Sequence, residues 1–93
     1  MDVEWDEDKA RSNEIKHGVS LPEAATVFGD PLAVTFDDPL HSADELRYLT
    51  IGLSSRGRVL IVSHTDRGSA NRIISARAAS RAERKGYEDG SYP

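Results

Sequence analysis

The sequence predicts an α+β domain with two N-terminal helices, an antiparallel sheet of three to four strands and a C-terminal helix. The chain has 93 residues, which is the size of one domain. Helix-capping patterns occur near both ends, and between them the apolar residues alternate as they do in strands. Because only 38% of the residues are hydrophobic, the helices must share buried surface with the sheet.

The first predicted helix begins after Asp6 and ends near His17. A carboxylate at Asp6 can cap the first turn, and Trp5 and Ala10 have the spacing of a hydrophobic staple. Gly18 can adopt the left-handed conformation that ends a helix. The middle of this helix is almost entirely polar, so packing alone does not explain why it forms.

The second predicted helix runs from Ser20 to Phe28. Ser20 and Glu23 have the spacing of a capping box. Apolar residues then recur at the spacing of one helix face, at Leu21, Ala24, Ala25 and Phe28. The run Gly29-Asp30-Pro31 ends this helix, which we expect to be the main helical contribution to the core.

Strands are predicted at residues 32–37, 46–53, 58–65 and 71–77, with turns between them. Residues 59–62 are apolar without alternation, which predicts a central strand that is covered on both sides. Ser80 and Glu83 form a further capping box, and it opens a terminal helix over residues 81–89 in which Gly86 is a weak point. We expect residues 90–93 to form a flexible tail.

Composition excludes several classes of protein. The chain has no cysteine, so it has neither disulfides nor a thiolate nucleophile or metal ligand. No apolar stretch approaches the length that spans a membrane, and no signal peptide opens the chain. We therefore expect a single cytoplasmic domain over residues 1–93, without repeats or linkers and without contact with a membrane.

Charge is divided unevenly along the chain. Residues 1–55 contain 4 Lys/Arg against 12 Asp/Glu, whereas residues 56–93 contain 8 against 4, and all but one of those 8 are arginine. Arginine stays protonated at working pH, and its planar donors fit a phosphate. The second half is therefore typical of a phosphate or nucleic-acid binder. The alternative is a dipolar surface that keeps the protein soluble.

Arginines on the last strand and the helix after it are the first candidate site. Arg72 and Arg77 are five residues apart, so in a regular strand they face opposite sides of the sheet. They can share a site only if a bulge separates them or if Arg77 lies beyond the strand. Arg77 and Arg81 come close if the intervening turn is tight. Such groups stabilise the charge that develops on a phosphate during cleavage, unless each arginine instead pairs with an acidic residue.

Histidine and tyrosine supply candidates for proton transfer. His17 follows a helix whose dipole favours positive charge at its end, so it can act as an acid or a base, although capping carbonyls is its commoner role. His64 ends the central strand, and we expect it to be a partly buried structural residue. Tyr87 can donate a proton or stack on a base, or it can simply dock the terminal helix on the sheet.

A metal site has little support in the sequence. Asp37, Asp38 and His41 flank Pro39 in a polar loop, but their spacing matches no recognised metal motif. No glycine-rich phosphate loop and no nucleophile elbow occurs. We therefore expect no metal and no cofactor.

The order of these features resembles the BrnT family of bacterial type II toxins. The matching runs extend in register over residues 5–88 and are Trp5-Asp6 with Lys9 and Asn13, Lys16-His17-Gly18, the Ser20–Phe28 helix, Arg47 with Ile51-Gly52-Leu53, Gly57-Arg58-Val59-Leu60, Arg72-Ile73-Ile74-Ser75-Ala76-Arg77, and Glu83-Arg84 with Tyr87. The resemblance implies a RelE-like fold and an endoribonuclease activity that halts translation. It also implies a BrnA-type antitoxin that binds DNA and represses the shared operon.

Site residues follow from the resemblance, position by position. RelE-like nucleases surround the scissile phosphate with arginine, lysine and tyrosine rather than with a pair of histidines. Arg72 and Arg77 become the expected catalytic phosphate ligands, with His17 and Tyr87 as further catalytic candidates. The expected RNA-binding residues are Lys16, Arg58 and Arg84, which lie in matching runs, and Arg81, which is included because of its position shortly after Arg77.

The leading hypothesis is a metal-independent endoribonuclease in which the RNA 2′-hydroxyl attacks its own phosphate. We expect two toxin chains on a dimeric antitoxin, since such repressors read paired half-sites, and contact with DNA only through that antitoxin. One alternative is a non-catalytic module that binds nucleic acid or protein through the same basic surface. Another is a structural partner domain whose arginines all form salt bridges.

Overall fold

A computed structural model describes residues 2–41 and 45–91 of the chain. Three α-helices and a five-stranded sheet lie within these residues. The helices are α1 (Glu7–His17), α2 (Leu21–Ala25) and α3 (Arg81–Asp89), and the strands are β1 (Asp2–Glu4), β2 (Val34–Asp37), β3 (Arg47–Leu53), β4 (Val59–Arg67) and β5 (Ala70–Ala78). In the expected C-terminal tail, Tyr92 and Pro93 lie outside the described residues. No helix in the described ranges is long and apolar enough to cross a bilayer.

The sheet order is β1-β5-β4-β3-β2. Strands β2 to β5 form the predicted antiparallel meander, with β4 at its centre. The added strand is β1, which pairs with β5 in parallel from Asp2 opposite Ala70 to Glu4 opposite Arg72. Because β1 has three residues and its partner lies near the other end of the chain, no local pattern predicts it. The α+β class is confirmed, and the sheet is mixed.

The core lies between the sheet and the two N-terminal helices. Its fully or almost fully buried residues are Val19, Leu21, Ala24, Val27, Leu60, Val62, Ile73 and Ala76. A Cβ atom at Gly52 would lie only 2.8 Å from Val27 Cγ1 and 2.9 Å from Ala33 Cβ. Glycine at this position therefore allows the segment after α2 to lie directly on β3. We call this side of the sheet the helix face.

The helix caps follow the sequence, with two differences. Asp6 accepts hydrogen bonds from the backbone in the first turn of α1, Gly18 ends that helix at a φ of 68°, and the capping box that opens α3 is complete. The second helix changes to a 3-10 helix over Thr26–Gly29 instead of continuing as one α-helix to Phe28. Ser20 caps α2, but the Glu23 side chain turns away to Ser54 and Arg58.

One buried amide joins helix α1 to the edge of the sheet, in addition to the packing of Trp5 and Ala10 against the core. Asn13 Nδ2 donates to the carbonyls of Val19 and Ala76, each at 2.9 Å, and Asn13 Oδ1 accepts from the Ala76 N–H at 3.0 Å. Strand β1 covers β5 only as far as Arg72. At Ala76 the amide therefore makes the two backbone hydrogen bonds that a neighbouring strand would make. This contact places the end of α1, with His17, at the sheet edge.

A register shift in β5 places Arg72 and Arg77 on the same side of the sheet. Ser63 and His64 are consecutive on β4, but they pair with Ser75 and Ile73, so one residue of β5 is extra. As a result Arg77 pairs with Ile61 and Arg72 pairs with Thr65, and both partners lie on one face of β4. We call this side of the sheet the cleft face. This bulge meets the condition under which Arg72 and Arg77 can contribute to one site.

Candidate active site

Three rows of side chains cross the cleft face. Strand pairing aligns Ile51 and Ile61 with Arg77 in the first row, Leu49 and Ser63 with Ser75 in the second, and Arg47 and Thr65 with Arg72 in the third. The first and third rows are about 13 Å apart along β4. The floor is therefore apolar and hydroxylated in the middle, with arginine at both ends.

A cleft of about 510 Å³ lies over this floor. The last residue of α1 forms one wall, and the short 3-10 turn Pro39–His41 forms another. Its lining residues are His17, Asp38, Leu40, His41, Arg47, Leu49, Ile61, Ser63, Ser75, Ala76 and Arg77. Two histidines and two arginines therefore share one concave surface.

Arg77 is held at the cleft by Glu83, the residue that also caps α3. Arg77 Nη1 and Nη2 donate to the two oxygens of Glu83 at 2.7 and 2.9 Å, and Glu83 Oε1 also accepts from the Ser80 N–H at 2.8 Å. These hydrogen bonds, above all those from Arg77, lower the pKa of Glu83 to about 2, and Glu83 in turn raises the pKa of Arg77. Both groups are charged at neutral pH. Nη1 also donates to the Ala78 carbonyl at 3.3 Å, and among the described residues the Nε atom of Arg77 has no hydrogen-bond partner, so this edge can bind another acceptor.

His41 is oriented by a buried carboxylate. Asp38 Oδ2 lies 2.9 Å from His41 Nδ1, and the Asp38 N–H donates to the carbonyl of Arg47 at 2.9 Å. Asp38 is buried, whereas the His41 side chain is 64% exposed. Asp38 therefore fixes the orientation of the His41 ring, and the exposed part of that ring can contact a ligand in the cleft.

Arg47 and Arg72 lie on either side of Thr65, at the far end of the floor. Arg47 lines the cleft, and Arg72 is partly buried with its Nη1 atom 3.9 Å from Glu4 Oε1. Thr65 is fully buried, and its Oγ1 atom has no hydrogen-bond partner among the described residues. Arg72 therefore lies on the cleft face in the same row as Arg47, but it is not part of the cleft lining.

Arg58 lies on the helix face, away from the cleft. Its Nε and Nη2 atoms donate to Glu23 at 3.0 and 2.5 Å, and Nη2 also donates to the Gly18 carbonyl at 3.2 Å. The Glu23 carboxylate also accepts from Ser54 Oγ at 2.7 Å. The hydrogen bonds from Arg58 are the main reason that the pKa of Glu23 is lowered. In this structure Arg58 forms a partly buried ion pair that joins α2 to the start of β4.

The remaining predicted residues are spread around the cleft. Lys16 is exposed beside His17, and Arg81 and Arg84 are exposed on α3. Tyr87 donates its phenolic hydrogen bond to Asp30 Oδ2 at 2.5 Å, which docks α3 against the loop before β2. Of the eight predicted site residues, His17 and Arg77 line the cleft.

His64 is a buried structural histidine, as expected. Its Nε2 atom lies 2.7 Å from Thr50 Oγ1, and its ring packs edge-on against Phe28 and stacks with Tyr48. Burial is the main cause that lowers its pKa. The ring is therefore neutral at pH 7 and belongs to the core.

No group of three or more histidine and acidic side chains that could hold a metal occurs in residues 2–41 and 45–91. Of the loop residues considered as ligands, Asp38 and His41 are in contact, and Asp37 is exposed at the end of β2.

Sequence reasoning did not identify Arg47, His41, Ser63 and Ser75 as parts of one site. They come from β3, a loop, β4 and β5, and only the sheet register brings them together. The register of β3, β4 and β5 cannot be predicted from the spacing of residues along the chain. The resemblance included Arg47 and Ser75 in matching runs without a role for either, and His41 was considered only as a metal ligand.

Comparisons with known proteins identify the family of this chain. The family model for the ribonuclease toxin BrnT of type II toxin–antitoxin systems matches residues 5–83. The 1.1 Å crystal structure of the Brucella abortus ribonuclease toxin BrnT superposes with a TM-score of 0.69 at 30% sequence identity, covering 87% of this chain and 99% of that one. No curated protein sequence matches. The chain belongs to the BrnT family of ribonuclease toxins of type II toxin–antitoxin systems.

Proposed function

We propose that this protein is a metal-independent endoribonuclease that cleaves RNA in the cytoplasm and thereby arrests translation and growth. The observation that carries the proposal is the cleft, whose lining includes both His17 and Arg77 over a floor made by three strands. In the proposed reaction the RNA 2′-hydroxyl attacks the adjacent phosphate, and no metal-bound water is needed.

Arg77 would bind the scissile phosphate through its Nε edge while Glu83 holds the rest of the guanidinium in place. Preorganised donors of this kind stabilise the charge that develops on the phosphoryl oxygens in the transition state. Arg47 and Arg72, at the other end of the floor, would bind a more distant phosphate of the same RNA strand. The exposed cations Lys16, Arg81 and Arg84 would attract RNA towards the cleft.

The distribution of charge supports this use of an acidic protein, whose formal net charge is −4. Helix α1 has Glu7 and Asp8 in its first turn and Lys16 and His17 in its last turn. The ends of this helix are about 16 Å apart. The basic turn therefore lies beside the cleft lining, and the acidic turn lies at the other end of the helix, on the side of Arg72.

An antitoxin of the BrnA type would neutralise the protein by covering the cleft. Leu40, at the cleft wall, is 88% exposed. A neighbouring apolar groove of about 230 Å³ runs between α3 and the sheet and includes Phe36 and Leu49. A partner that seats apolar side chains here would also reach Arg77. We expect two toxins on one dimeric antitoxin, which alone would contact DNA.

The test of catalysis is cleavage of messenger RNA by the purified chain, freed of any partner, in the presence of EDTA. We expect cleavage to continue, because the proposed reaction uses only protein side chains. Activity that disappears on chelation and returns with a divalent ion would refute the metal-free mechanism.

The biological role is tested by inducing the chain in bacteria and measuring protein synthesis and growth. We expect both to stop, and to recover when the neighbouring open reading frame is co-expressed. Light scattering on the co-purified pair then measures stoichiometry. Recovery of the toxin as a free monomer beside its neighbour's product would contradict the assembly.

A further inference from the structure

We propose that His41, oriented by Asp38, is the general base of the reaction and that His17, on another wall of the same cleft, is the general acid. This assignment deepens the proposed endoribonuclease function and rests on it. It gives a catalytic role to a residue that appeared in the sequence only as part of a weak metal motif.

The contact between Asp38 and His41 determines which nitrogen can take up a proton. A carboxylate only accepts hydrogen bonds, so at 2.9 Å from Asp38 Oδ2 the Nδ1 atom of His41 must carry the hydrogen. In the neutral ring the Nε2 atom is then unprotonated and can accept a proton. Asp38 is itself held in place, because it is buried and because its N–H donates to the Arg47 carbonyl. Asp38 is thus a positioning residue, in the manner of a carboxylate that orients a histidine base.

His17 lies where a proton can be returned to the leaving group. It is the last residue of α1, and the amide of Asn13 fixes that helix against β5. The carbonyl end of a helix stabilises positive charge, as a general acid requires before it donates its proton. Arg77 and the serine pair of the floor line the same cleft, so a phosphate bound there would have a histidine on two of its sides.

The composition of the cleft favours this pair over other residues. The described lining contains no lysine, tyrosine or glutamate, and Asp38, its one carboxylate, is already in contact with His41. Arginine is too basic to exchange protons near neutral pH, and a serine hydroxyl is not charged there. The groups of the described lining that can transfer protons in this range are therefore His17 and His41.

The chemical step balances with these two residues alone. His41 Nε2 takes the proton of the 2′-hydroxyl as the 2′-oxygen forms its bond to phosphorus. The bond from phosphorus to the 5′-oxygen breaks, and that oxygen takes a proton from the protonated His17. The products are a 2′,3′-cyclic phosphate and a free 5′-hydroxyl, and a later exchange of protons with water restores both histidines.

The test uses His41→Ala and His17→Ala on a short RNA with one cleavage site, and on the same RNA with sulfur in place of the bridging 5′-oxygen. A thiol is far more acidic than an alcohol, so the sulfur leaves without a general acid. We expect each variant to lose about 10²–10⁴-fold in rate on the ordinary RNA. On the sulfur-containing RNA we expect His17→Ala to recover and His41→Ala to stay slow. Recovery of both variants, or of His41→Ala alone, overturns the assignment.

Asp38→Asn separates positioning from general structural damage. An amide can donate to Nδ1 and so favour the wrong tautomer, and we expect the rate to fall while the thermal melting temperature stays near that of the parent. The pH–rate profile should lose one limb in His41→Ala and the other in His17→Ala. The charged and titratable groups that face His41 in the described cleft are Asp38, Arg47, His17 and Arg77. A profile that keeps both limbs in both variants contradicts the proposal.

Two comparisons distinguish this inference from the proposed function. If the parent cleaves RNA and Arg77→Ala does not, but His41→Ala cuts at the parental rate, the histidine assignment is wrong and the nuclease stands. If the parent cuts no RNA with or without divalent ions, the proposed function itself fails. Arg11→Ala, which removes one exposed charge paired with Asp8 on α1, is the matched control and should keep the parental rate. His41 is exposed on a surface turn, so its replacement should not unfold the protein.

Discussion

Arg58 and Arg77 each bind one glutamate through two nitrogen atoms, but they lie on opposite faces of the sheet. The pair of Arg58 and Glu23 joins α2 to β4, and only 4% of the Glu23 side chain is exposed. The pair of Arg77 and Glu83 lies at the rim of the cleft, where 34% of the Glu83 side chain is exposed. Both are arginines of the basic half, and in the sequence they look alike.

The surroundings of each glutamate determine what its arginine can do. If Arg58 turned to a phosphate, the buried Glu23 carboxylate would keep the hydrogen bond from Ser54 and a weaker attraction to Arg56, and it would lose its ion pair. If Arg77 shifted towards a phosphate, Glu83 would still have water and the Ser80 N–H. The first pair is therefore a fixed part of the fold, and the second can tolerate a competing anion. An arginine's availability for RNA depends on the burial of its partner more than on the arginine itself.

The largest effect is expected from Arg77→Ala. If Arg77 clamps the scissile phosphate, the cleavage rate should fall by about 10²–10³-fold, the range for loss of one preorganised donor. Unfolding free energy should change by no more than about 1 kcal/mol, because the pair is partly exposed. Single-turnover cleavage assays measure the first quantity and chemical denaturation the second. The control Lys85→Ala removes an exposed charge of α3 and should cleave RNA at the parental rate. If Arg77→Ala is as fast as this control, Arg77 has only a structural role, as Arg58 has.

Arg58→Ala should show the opposite pattern. Its loss leaves Glu23 buried and under-compensated, so we expect a destabilisation of about 3 kcal/mol. The folded fraction should retain most of the parental rate per molecule, because Arg58 does not line the cleft and reaches it only through the Gly18 carbonyl beside His17. Thermal melting and cleavage at a temperature below the transition check both statements. Arg67→Ala breaks an exposed pair with Glu45 and should cost less than about 1 kcal/mol. A large loss of cleavage rate in fully folded Arg58→Ala would show that Arg58 contributes to RNA binding or catalysis.

A smaller effect is expected from Tyr87→Phe, which tests the second attachment of α3. The variant loses the hydrogen bond to Asp30 and keeps the ring, so the expected cost is about 1–2 kcal/mol of stability. Cleavage should persist, because Glu83 still holds Arg77. Parallel measurements of melting temperature and rate distinguish docking from catalysis. Should the rate collapse while the melting temperature hardly moves, Tyr87 acts on the substrate.

The smallest effect is expected when the pH is lowered and the stability of the fold is measured. The pKa of Glu83 is about 2 in the folded protein and ordinarily 4.5, so its stabilising contribution is present above about pH 4.5 and is lost as pH falls towards 2. Glu83→Gln keeps an oxygen for the Ser80 N–H but has no carboxylate to titrate. Melting temperature against pH should therefore fall less steeply in this variant than in the parent over that window. Curves of equal slope would mean that the exposed pair contributes nothing to stability.

Local chemistry predicted the elements of this fold better than it predicted the site. Residues with short-range roles, such as the cap at Asp6, the stop at Gly18 and the capping box at Ser80, were identified because their partners lie within four residues. Strand β4 was identified as central because its apolar run has no polar face. The pairing of β1 with β5 and the contact of Glu23 with Arg58 were not predicted, since each joins distant parts of the chain.

For the site, the sequence predicted which types of residue are suited to the chemistry, but not how the fold brings them together. Histidine and arginine are suited to phosphate chemistry wherever they occur, so His17 and Arg77 could be nominated from sequence. That Arg72 and Arg77 share a face depends on one extra residue in β5, and the sequence could state this only as a condition. The role of the loop at His41 depends on a buried Asp38, and burial is a property of the whole fold.

The amide of Asn13 has a consequence for dynamics. Helix α1 has an exposed Ile15 and a mostly polar surface, so its attachment to the sheet depends heavily on this one side chain. We expect α1 to open as a cooperative unit well below the free energy of global unfolding, with faster amide hydrogen exchange than β4. Each opening would withdraw one wall of the cleft and at the same time expose an unpaired strand edge at Ala76. Inactivation and self-association would then begin from the same rare event.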